Sequence, residues 1–139
     1  MAYFWTVMGA MKGIAVLWVL ILLASSVGMA QTEIFNPMKD AIKRGDATAL
    51  VKSFAPSVDI NIEGNINTYS KAQSEFILKD FFKKHPVNDF SIVHTGSSKG
   101  GLQFAIGRYL SGTIGYNVLM RIRLVGDDNL VHEISFVKE

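Results

Sequence analysis

The sequence predicts an α+β fold in which short helices come first and an antiparallel sheet follows. Apolar residues recur at helical spacing from residue 36 to 54 and again from residue 70 to 84. From Phe90 onward, apolar and polar residues alternate to the end of the chain, as strands require. Short glycine-rich turns divide this region into four strands that we expect to pair as hairpins. These strands are Phe90–Thr95, Leu102–Leu110, Ile114–Leu124 and Leu130–Val137.

Two short helices are predicted at the start of the domain. Asn36 is expected to cap the first helix, with Pro37 in its first turn and Gly45 at its end. Asp46 is expected to cap the second helix, which Pro56 stops. The residues that the two helices are expected to bury are Met38, Ala41, Ile42, Ala47, Leu50, Val51 and Phe54.

A strand and a long helix follow. Residues 58–62 alternate between apolar and polar side chains, and a turn is predicted at Gly64-Asn65. Ser70 and Gln73 have the spacing of a capping box, so the helix begins there and ends at residues 85–86. Its buried face is predicted to carry Ala72, Phe76, Ile77, Phe81 and Phe82.

The first 30 residues have the layout of a secretory signal peptide. Lys12 supplies a positive charge, residues 13–24 are apolar, and small residues precede Gln31. Met11 is the expected initiator, because a start at Met1 places Lys12 inside the apolar region. An uncleaved membrane anchor is the alternative, but the apolar run is shorter than a membrane span requires. We therefore expect export to the periplasm or the exterior, and one domain over residues 31–139.

Composition excludes several classes of protein. The chain has no cysteine, which excludes disulfides, thiolate zinc sites and a lipid on cysteine. Its 14 basic and 12 acidic residues nearly balance, so nothing favours nucleic acid as a partner, nor a membrane after signal cleavage. Phosphate-loop, dinucleotide, Ser-His-Asp and metal-helix motifs are absent from the sequence. No cofactor and no metal site are predicted.

Three segments resemble a known family. They are Ala41–Leu50 with Phe54, Val58–Ile62, and Tyr69–Gln73 leading to Phe81-Phe82. In these segments the chain resembles the nuclear transport factor 2-like superfamily, whose fold is cystatin-like. Within it, the chain is similar to the exported bacterial group called domain of unknown function 4783, common in Bacteroidetes. The likeness extends from Phe35 to the C-terminus, and its motifs concern packing rather than chemistry.

The resemblance implies a cone, in which a curved antiparallel sheet wraps around a long helix and the first two helices close one side. Some relatives are dehydratases or isomerases that carry Asp with His or Tyr in the cavity. Others bind small ligands without chemistry, and many are dimers or partner-binding modules. These alternatives stay open on the resemblance alone.

Strand register selects the candidate ligand residues. A three-residue turn at 111–113 pairs Arg108 with Tyr116 and places both on the inner face. On the preceding strand, Phe90 is predicted beside Arg108, and His94 beside Phe104 on the same face. Arg108 is the best ligand candidate, since a guanidinium needs an acceptor and stacks on aromatic faces. The remaining candidates are His132, on the core face of the last strand, and Tyr69, at the start of the long helix. For Arg108 the alternative is a side chain that reaches solvent at the end of the sheet.

Acid–base catalysis is not expected, because the predicted inner face carries no carboxylate. Asp59, Glu63 and Glu133 are assigned to the opposite face, and Glu133 faces either Arg121 or Arg123. His94 and His132 are not expected to form a catalytic or metal-binding pair, since they lie on the first and fourth strands of the meander. The i,i+4 pairs Glu75–Lys79 and Asp80–Lys84 are expected on the solvated side of the long helix.

The outer face of the predicted sheet suits a contact between two copies of the chain. Its predicted apolar centre is Val93, Ala105, Gly107, Leu119 and Val131, with a rim of Gln103, Tyr109, Arg121, Arg123 and Glu133. We expect a non-catalytic exported binding module that takes a small ligand in the cone, or an envelope protein or a second copy on the sheet. A small-molecule dehydratase or isomerase is the alternative, and a purely structural dimer is a third.

Overall fold

The computed structural model describes residues 33–139, so the predicted signal peptide and its cleavage site lie outside the described residues. Within residues 33–139, three helices and six strands follow one another. They are α1 (Asn36–Arg44), α2 (Ala47–Val51), β1 (Phe54–Ile62), β2 (Asn65–Ser70), α3 (Lys71–Lys84), β3 (Asp89–Ser97), β4 (Leu102–Ser111), β5 (Ile114–Val125) and β6 (Asp128–Lys138). The predicted α+β order is confirmed, with one additional strand, β2.

The six strands form one curved sheet in the order β2-β1-β6-β5-β4-β3. Strands β3 to β6 are the predicted antiparallel meander, and β1 joins it by pairing in parallel with β6. The inner face of the sheet packs on α3 through a cluster of buried aromatic residues. Its members are Phe81, Phe82, Tyr109, Tyr116 and Phe136, with ring centroids 4.4–6.3 Å apart.

The ends of α1 and α2 correct part of the prediction. Phe35, not Asn36, occupies the N-cap of α1, and Gly45 ends that helix with a φ of 63°. The Asp46 side chain accepts a hydrogen bond from the Ala49 amide, as an N-cap should. Helix α2 ends at Val51, so Pro56 does not stop it. Pro56 lies inside β1, at the point where the pairing of β1 with β6 changes register. Because proline lacks an N–H, an irregular position of this kind tolerates it.

Helix α3 begins with the predicted capping box of Ser70 and Gln73 and ends at Lys84, with His85 as its C-cap. Its buried face is rotated relative to the prediction: Phe76 is 72% exposed and Ala72 is exposed, while Ser74 and Leu78 are buried. The Ser74 hydroxyl donates to the Ser70 carbonyl, which satisfies it inside the core. The predicted ion pairs Glu75–Lys79 and Asp80–Lys84 are confirmed at 3.2 and 2.9 Å.

The register of β4 against β5 differs from the prediction by one residue. Ser111 pairs with Ile114 across a two-residue turn, whereas the prediction assumed three residues. Gly112 has a φ of 60°, which makes so tight a turn accessible. A shift of one residue exchanges the two faces of a strand. Tyr109 therefore faces Tyr116 in the core, and Arg108 faces Asn117 on the outside.

The same shift changes the composition of the outer face. Ala105, Gly107 and Tyr109 are buried instead of exposed. Val131 is buried as well, because the pairing of β5 with β6 is irregular beside it. The outer face carries Phe104, Ile106, Leu119, Arg121 and Glu133. In the last hairpin a bulge lies between Arg121 and Ile122, and Glu133 pairs with Arg121, one of its two predicted partners, at 3.2 Å. Among the described residues, no helix combines the length and the apolar character needed to cross a membrane.

Candidate functional site

A cavity of about 310 Å³ lies between α3 and the β1–β2 hairpin. This volume is at the lower end of the range for small-molecule sites, about 300–1,000 Å³. Its apolar lining is Ile60, Ile62, Ile77 and Phe81, and its polar lining is Glu63, Asn65, Asn67, Tyr69, Asp80, Lys84 and His85. We call this space the hairpin cavity.

The register of β2 brings its polar side chains to the cavity. Tyr69, Asn67 and Asn65 pair with Val58, Ile60 and Ile62, and so share the inner face with these apolar residues. Beyond β1, the inner face of the sheet includes the large buried rings of Tyr109, Tyr116 and Phe136, which lie against Phe81 of α3. Short amide side chains on β2 do not fill the equivalent volume, and the cavity results.

Glu63 lies in the two-residue turn between β1 and β2. Its φ of 52° and the 91° of Gly64 are those of a type I′ turn, and Asn61 Oδ1 accepts a hydrogen bond from the Gly64 amide at 2.8 Å. Glu63 lines the cavity, and its carboxylate lies 3.6 Å from Lys138 Nζ. The assignment of Glu63 to the opposite face was therefore wrong, because alternation along β1 does not continue through the turn.

His85, at the end of α3, connects the cavity to the aromatic core. Its Nδ1 lies 3.1 Å from the Tyr116 hydroxyl, and its backbone carbonyl accepts a hydrogen bond from the Tyr109 hydroxyl. Burial raises the pKa of Tyr109, and the nearby Tyr116 raises it further. Burial also raises the pKa of Tyr116, and the negative charge of Glu63 acts in the same direction.

Of the predicted ligand residues, Tyr69 lines the cavity and Tyr116 lies behind His85. The expectation that Arg108 belongs beside Tyr116 was wrong. Arg108 is exposed and forms a bidentate pair with Glu139 at 2.8 and 3.0 Å. This hydrogen bonding and the charge of Glu139 raise the pKa of Arg108, so the guanidinium already has its acceptor.

The other three predicted residues lie apart from the cavity. Phe90 is buried in the core opposite Tyr109. His94 is exposed on the outer face, with its ring 5.9 Å from that of Phe104. His132 is half-buried at the bulge of β6, and its Nε2 is buried with no hydrogen-bond partner within residues 33–139. The structure thus brings together only Tyr69 and Tyr116 from the predicted set.

Sequence reasoning missed Glu63, Asn65, Asn67 and His85. A usable signal was present for the asparagines, because residues 65, 67 and 69 alternate with period two directly after a turn. For Glu63 the signal was the following glycine, which marks a tight hairpin. Asp80 was predicted on the solvated side with Lys84; it forms that pair and also lines the cavity.

A second concave region lies on the outer face of the sheet. It encloses about 530 Å³ and is lined by Ser98, Leu102, Phe104, Ile106, Leu119 and Arg121. We call it the outer groove. Within residues 33–139, no group of three or more His, Asp or Glu side chains has the arrangement of a metal site.

Comparison with known proteins identifies the family of this chain. Among solved structures, it is similar to a DUF4783 family protein from Bacteroides uniformis, with 25% identity, a TM-score of 0.70, and coverage of 75% of this chain and 95% of the other. A DUF4783 family protein from Bacteroides ovatus gives 24% identity, a TM-score of 0.70, and coverage of 74% and 93%.

More distant structures share the fold. A nuclear transport factor 2-like protein of unknown function from Shewanella baltica gives 12% identity and a TM-score of 0.63, with coverage of 83% of this chain and 95% of the other. No curated protein matches the chain. The profile of the family described as "Domain of unknown function (DUF4783)" matches residues 35–136. The chain therefore belongs to the DUF4783 family and has a nuclear transport factor 2-like fold.

Proposed function

We propose that this protein is a non-catalytic binding module that takes a small ligand in the hairpin cavity. The observation that carries the proposal is the cavity itself, which has an apolar floor and a rim of convergent polar groups. Export, predicted from residues 1–30, is part of the proposal and places the module outside the cytoplasm. N-terminal sequencing of the secreted protein tests that part, with Gln31 as the expected first residue.

Ion pairs at the rim of the cavity support binding. The carboxylate of Asp80 is paired with Lys84 at 2.9 Å, and that of Glu63 is paired with Lys138 at 3.6 Å. A lysine partner beside each carboxylate suits recognition of a polar ligand.

The test is a thermal-shift and NMR screen of the purified protein against sugars, amino acids, diamines and dicarboxylates. Asn67→Trp places a large ring in the cavity from an exposed position on β2, and we expect it to abolish binding. Asn117→Trp on the outer face is the matched control and should bind as the parent does. Binding that survives Asn67→Trp contradicts the proposal. If the protein converts a bound compound to a product, the result supports the dehydratase or isomerase alternative instead.

The outer groove favours a second candidate function, association of two copies through the sheet. Its apolar centre of Phe104, Ile106 and Leu119 is only partly buried. Beside it, Arg121 and Glu133 form an ion pair of opposite charges on neighbouring strands. A two-fold axis through such a surface can set each charge against its opposite in the other copy, which makes the surface self-complementary.

Light scattering over a range of concentrations tests this association. Leu119→Arg should convert a dimer to a monomer, because it places an unpaired charge in the apolar centre. Val93→Arg is the control, since Val93 is 64% exposed and does not line the groove. A monomer at every concentration in the parent protein refutes the association.

A further inference from the structure

The charges around the hairpin cavity are balanced by the protein. Two carboxylates, Glu63 and Asp80, and one ammonium, Lys84, line it. Lys84 lies 2.9 Å from Asp80, and Lys138 lies 3.6 Å from Glu63. A charged ligand would have to displace one of these partners and would meet a charge of its own sign nearby. The balance therefore favours a neutral ligand.

The hydrogen-bonding groups on the rim both donate and accept. Asn65 and Asn67 each carry an amide with two donors and one acceptor oxygen, and the Tyr69 hydroxyl does both. His85 also lines the cavity, and its ring nitrogens form hydrogen bonds as well. A ligand that complements this mixture must itself donate and accept at several adjacent atoms, and hydroxyl groups do so.

The floor of the cavity is apolar. Ile60 and Phe81 are almost fully buried beneath it, and Ile62 and Ile77 are partly buried at its sides. The half-buried Tyr69 adds an aromatic ring. A ligand with hydroxyls at its edge and C–H groups on its face satisfies rim and floor together. The volume of about 310 Å³ suits a single ring rather than an extended chain.

We propose that the hairpin cavity binds a neutral, hydroxyl-rich ring, that is, a monosaccharide or a cyclic polyol. The inference rests on the proposed function and narrows it to one class of ligand. Asn65 and Asn67 donate and accept at adjacent hydroxyls, His85 forms a hydrogen bond with a third, and the ring face lies on Ile60 and Phe81.

The experiment is a ¹H–¹⁵N NMR titration of the purified protein with four probes: glucose, myo-inositol, putrescine and succinate. Glucose or inositol should shift the signals of Asn65, Asn67 and Tyr69, while the dication and the dianion should leave them unchanged. Asn67→Ala should weaken that binding about 3- to 10-fold, the effect of losing one hydrogen bond. Asn65→Ala provides a second variant, and Asn117→Ala on the outer face is the matched control.

The outcomes separate this inference from the proposed function. Putrescine or succinate bound in the cavity in preference to the neutral rings overturns the ligand class and leaves the binding module intact. If none of the four probes shifts a cavity signal, the ligand class is refuted; if the wider screen also finds no cavity ligand, so is the proposed function. Glucose without inositol, or the reverse, supports the inference and distinguishes a sugar from a cyclitol.

Discussion

Helix α3 meets two different surfaces. Toward β4, β5 and β6 it packs against Tyr109, Tyr116 and Phe136, all fully buried, with the Phe81 and Phe136 rings 4.4 Å apart. Toward the β1–β2 hairpin it faces Asn65 and Asn67, and a cavity of about 310 Å³ separates helix and strands. The sheet is continuous between the two regions, so the backbone alone does not create the cavity.

The difference lies in the side chains at inner-facing positions. Large rings fill the space under the meander, and short amides leave it open under the hairpin. The packed region supplies the stability of the domain, and the open region is free to carry polar groups that a core would not tolerate. Substitutions on the two sides should accordingly have separable effects.

The largest effect should come from Phe136→Ala in the packed region. Loss of a fully buried ring should lower the free energy of unfolding by about 3–5 kcal/mol, since a cavity is left among the remaining aromatic residues. Urea denaturation measures it. Ile66→Ala is the control, because Ile66 is 66% exposed and its loss should change the free energy by about 0.5 kcal/mol or less. Equal effects would remove the distinction between the two regions.

Gly107→Ala should have the next largest effect. An ideal Cβ at Gly107 lies 2.6 Å from the Phe90 ring and 2.9 Å from the Ser91 carbonyl oxygen, so rigid groups must move. Overpacking of this kind lowers the free energy of unfolding by about 1–3 kcal/mol. Gly115→Ala is the matched control: its Cβ meets only the end of the Glu139 side chain, which can rotate away. Thermal unfolding of both variants checks the order.

Tyr109→Phe should lower stability by about 1 kcal/mol at neutral pH, because the hydroxyl no longer donates to the His85 carbonyl. Its effect should change with pH. Tyr109 has an ordinary pKa of 10.0 when unfolded and a raised pKa when folded. The resulting stability is complete below pH 10 and is lost as the pH rises above that value, where only the unfolded chain gives up its proton.

Unfolding curves measured on both sides of pH 10 test this linkage. The parent protein should lose stability steeply in the alkaline range, and Tyr109→Phe should lose less, with Tyr116 responsible for the remainder. Parallel curves for the two proteins would show that the packed region does not hold Tyr109 in its neutral form.

The smallest effect should come from Arg108→Ala. The guanidinium is exposed and bound to Glu139 on the outer face, away from the hairpin cavity. We expect ligand binding to be unchanged, in contrast to Asn67→Ala, and little change in the melting temperature. Isothermal titration with the ligand found by the screen compares the two variants. Loss of binding in Arg108→Ala would show that the ligand site lies on the meander, near Arg108, and not in the hairpin cavity.

Local signals in the sequence predicted most of the elements. The capping box at Ser70 and Gln73, the N-cap at Asp46 and the left-handed Gly45 each act within a few residues, so the sequence around them suffices. Strand β2 was missed because it has little apolar character: five of its six residues are exposed. Such an edge strand forms because its neighbour β1 offers hydrogen bonds.

Prediction of the site residues required the number of residues in each turn. The alternation of apolar and polar residues along the strands does not supply that number. A turn of two residues at Gly112-Thr113, in place of three, moved Arg108 out of the core and Tyr109 into it. Glu63 was misplaced for a related reason, since a residue in a turn is not bound to either face of the strand before it. Periodicity identifies which residues share a face, but turn geometry decides which face is the inside.

Glu63 adopts a backbone conformation that asparagine or glycine would enter with less strain, at a price of about 1–2 kcal/mol for an ordinary side chain. Replacement of Glu63 by asparagine or glycine would therefore yield a more stable protein. That protein would lack the acidic group beside Tyr116 and His85. Variants selected for thermal stability alone should lose Glu63 early. Selection for ligand binding should preserve it.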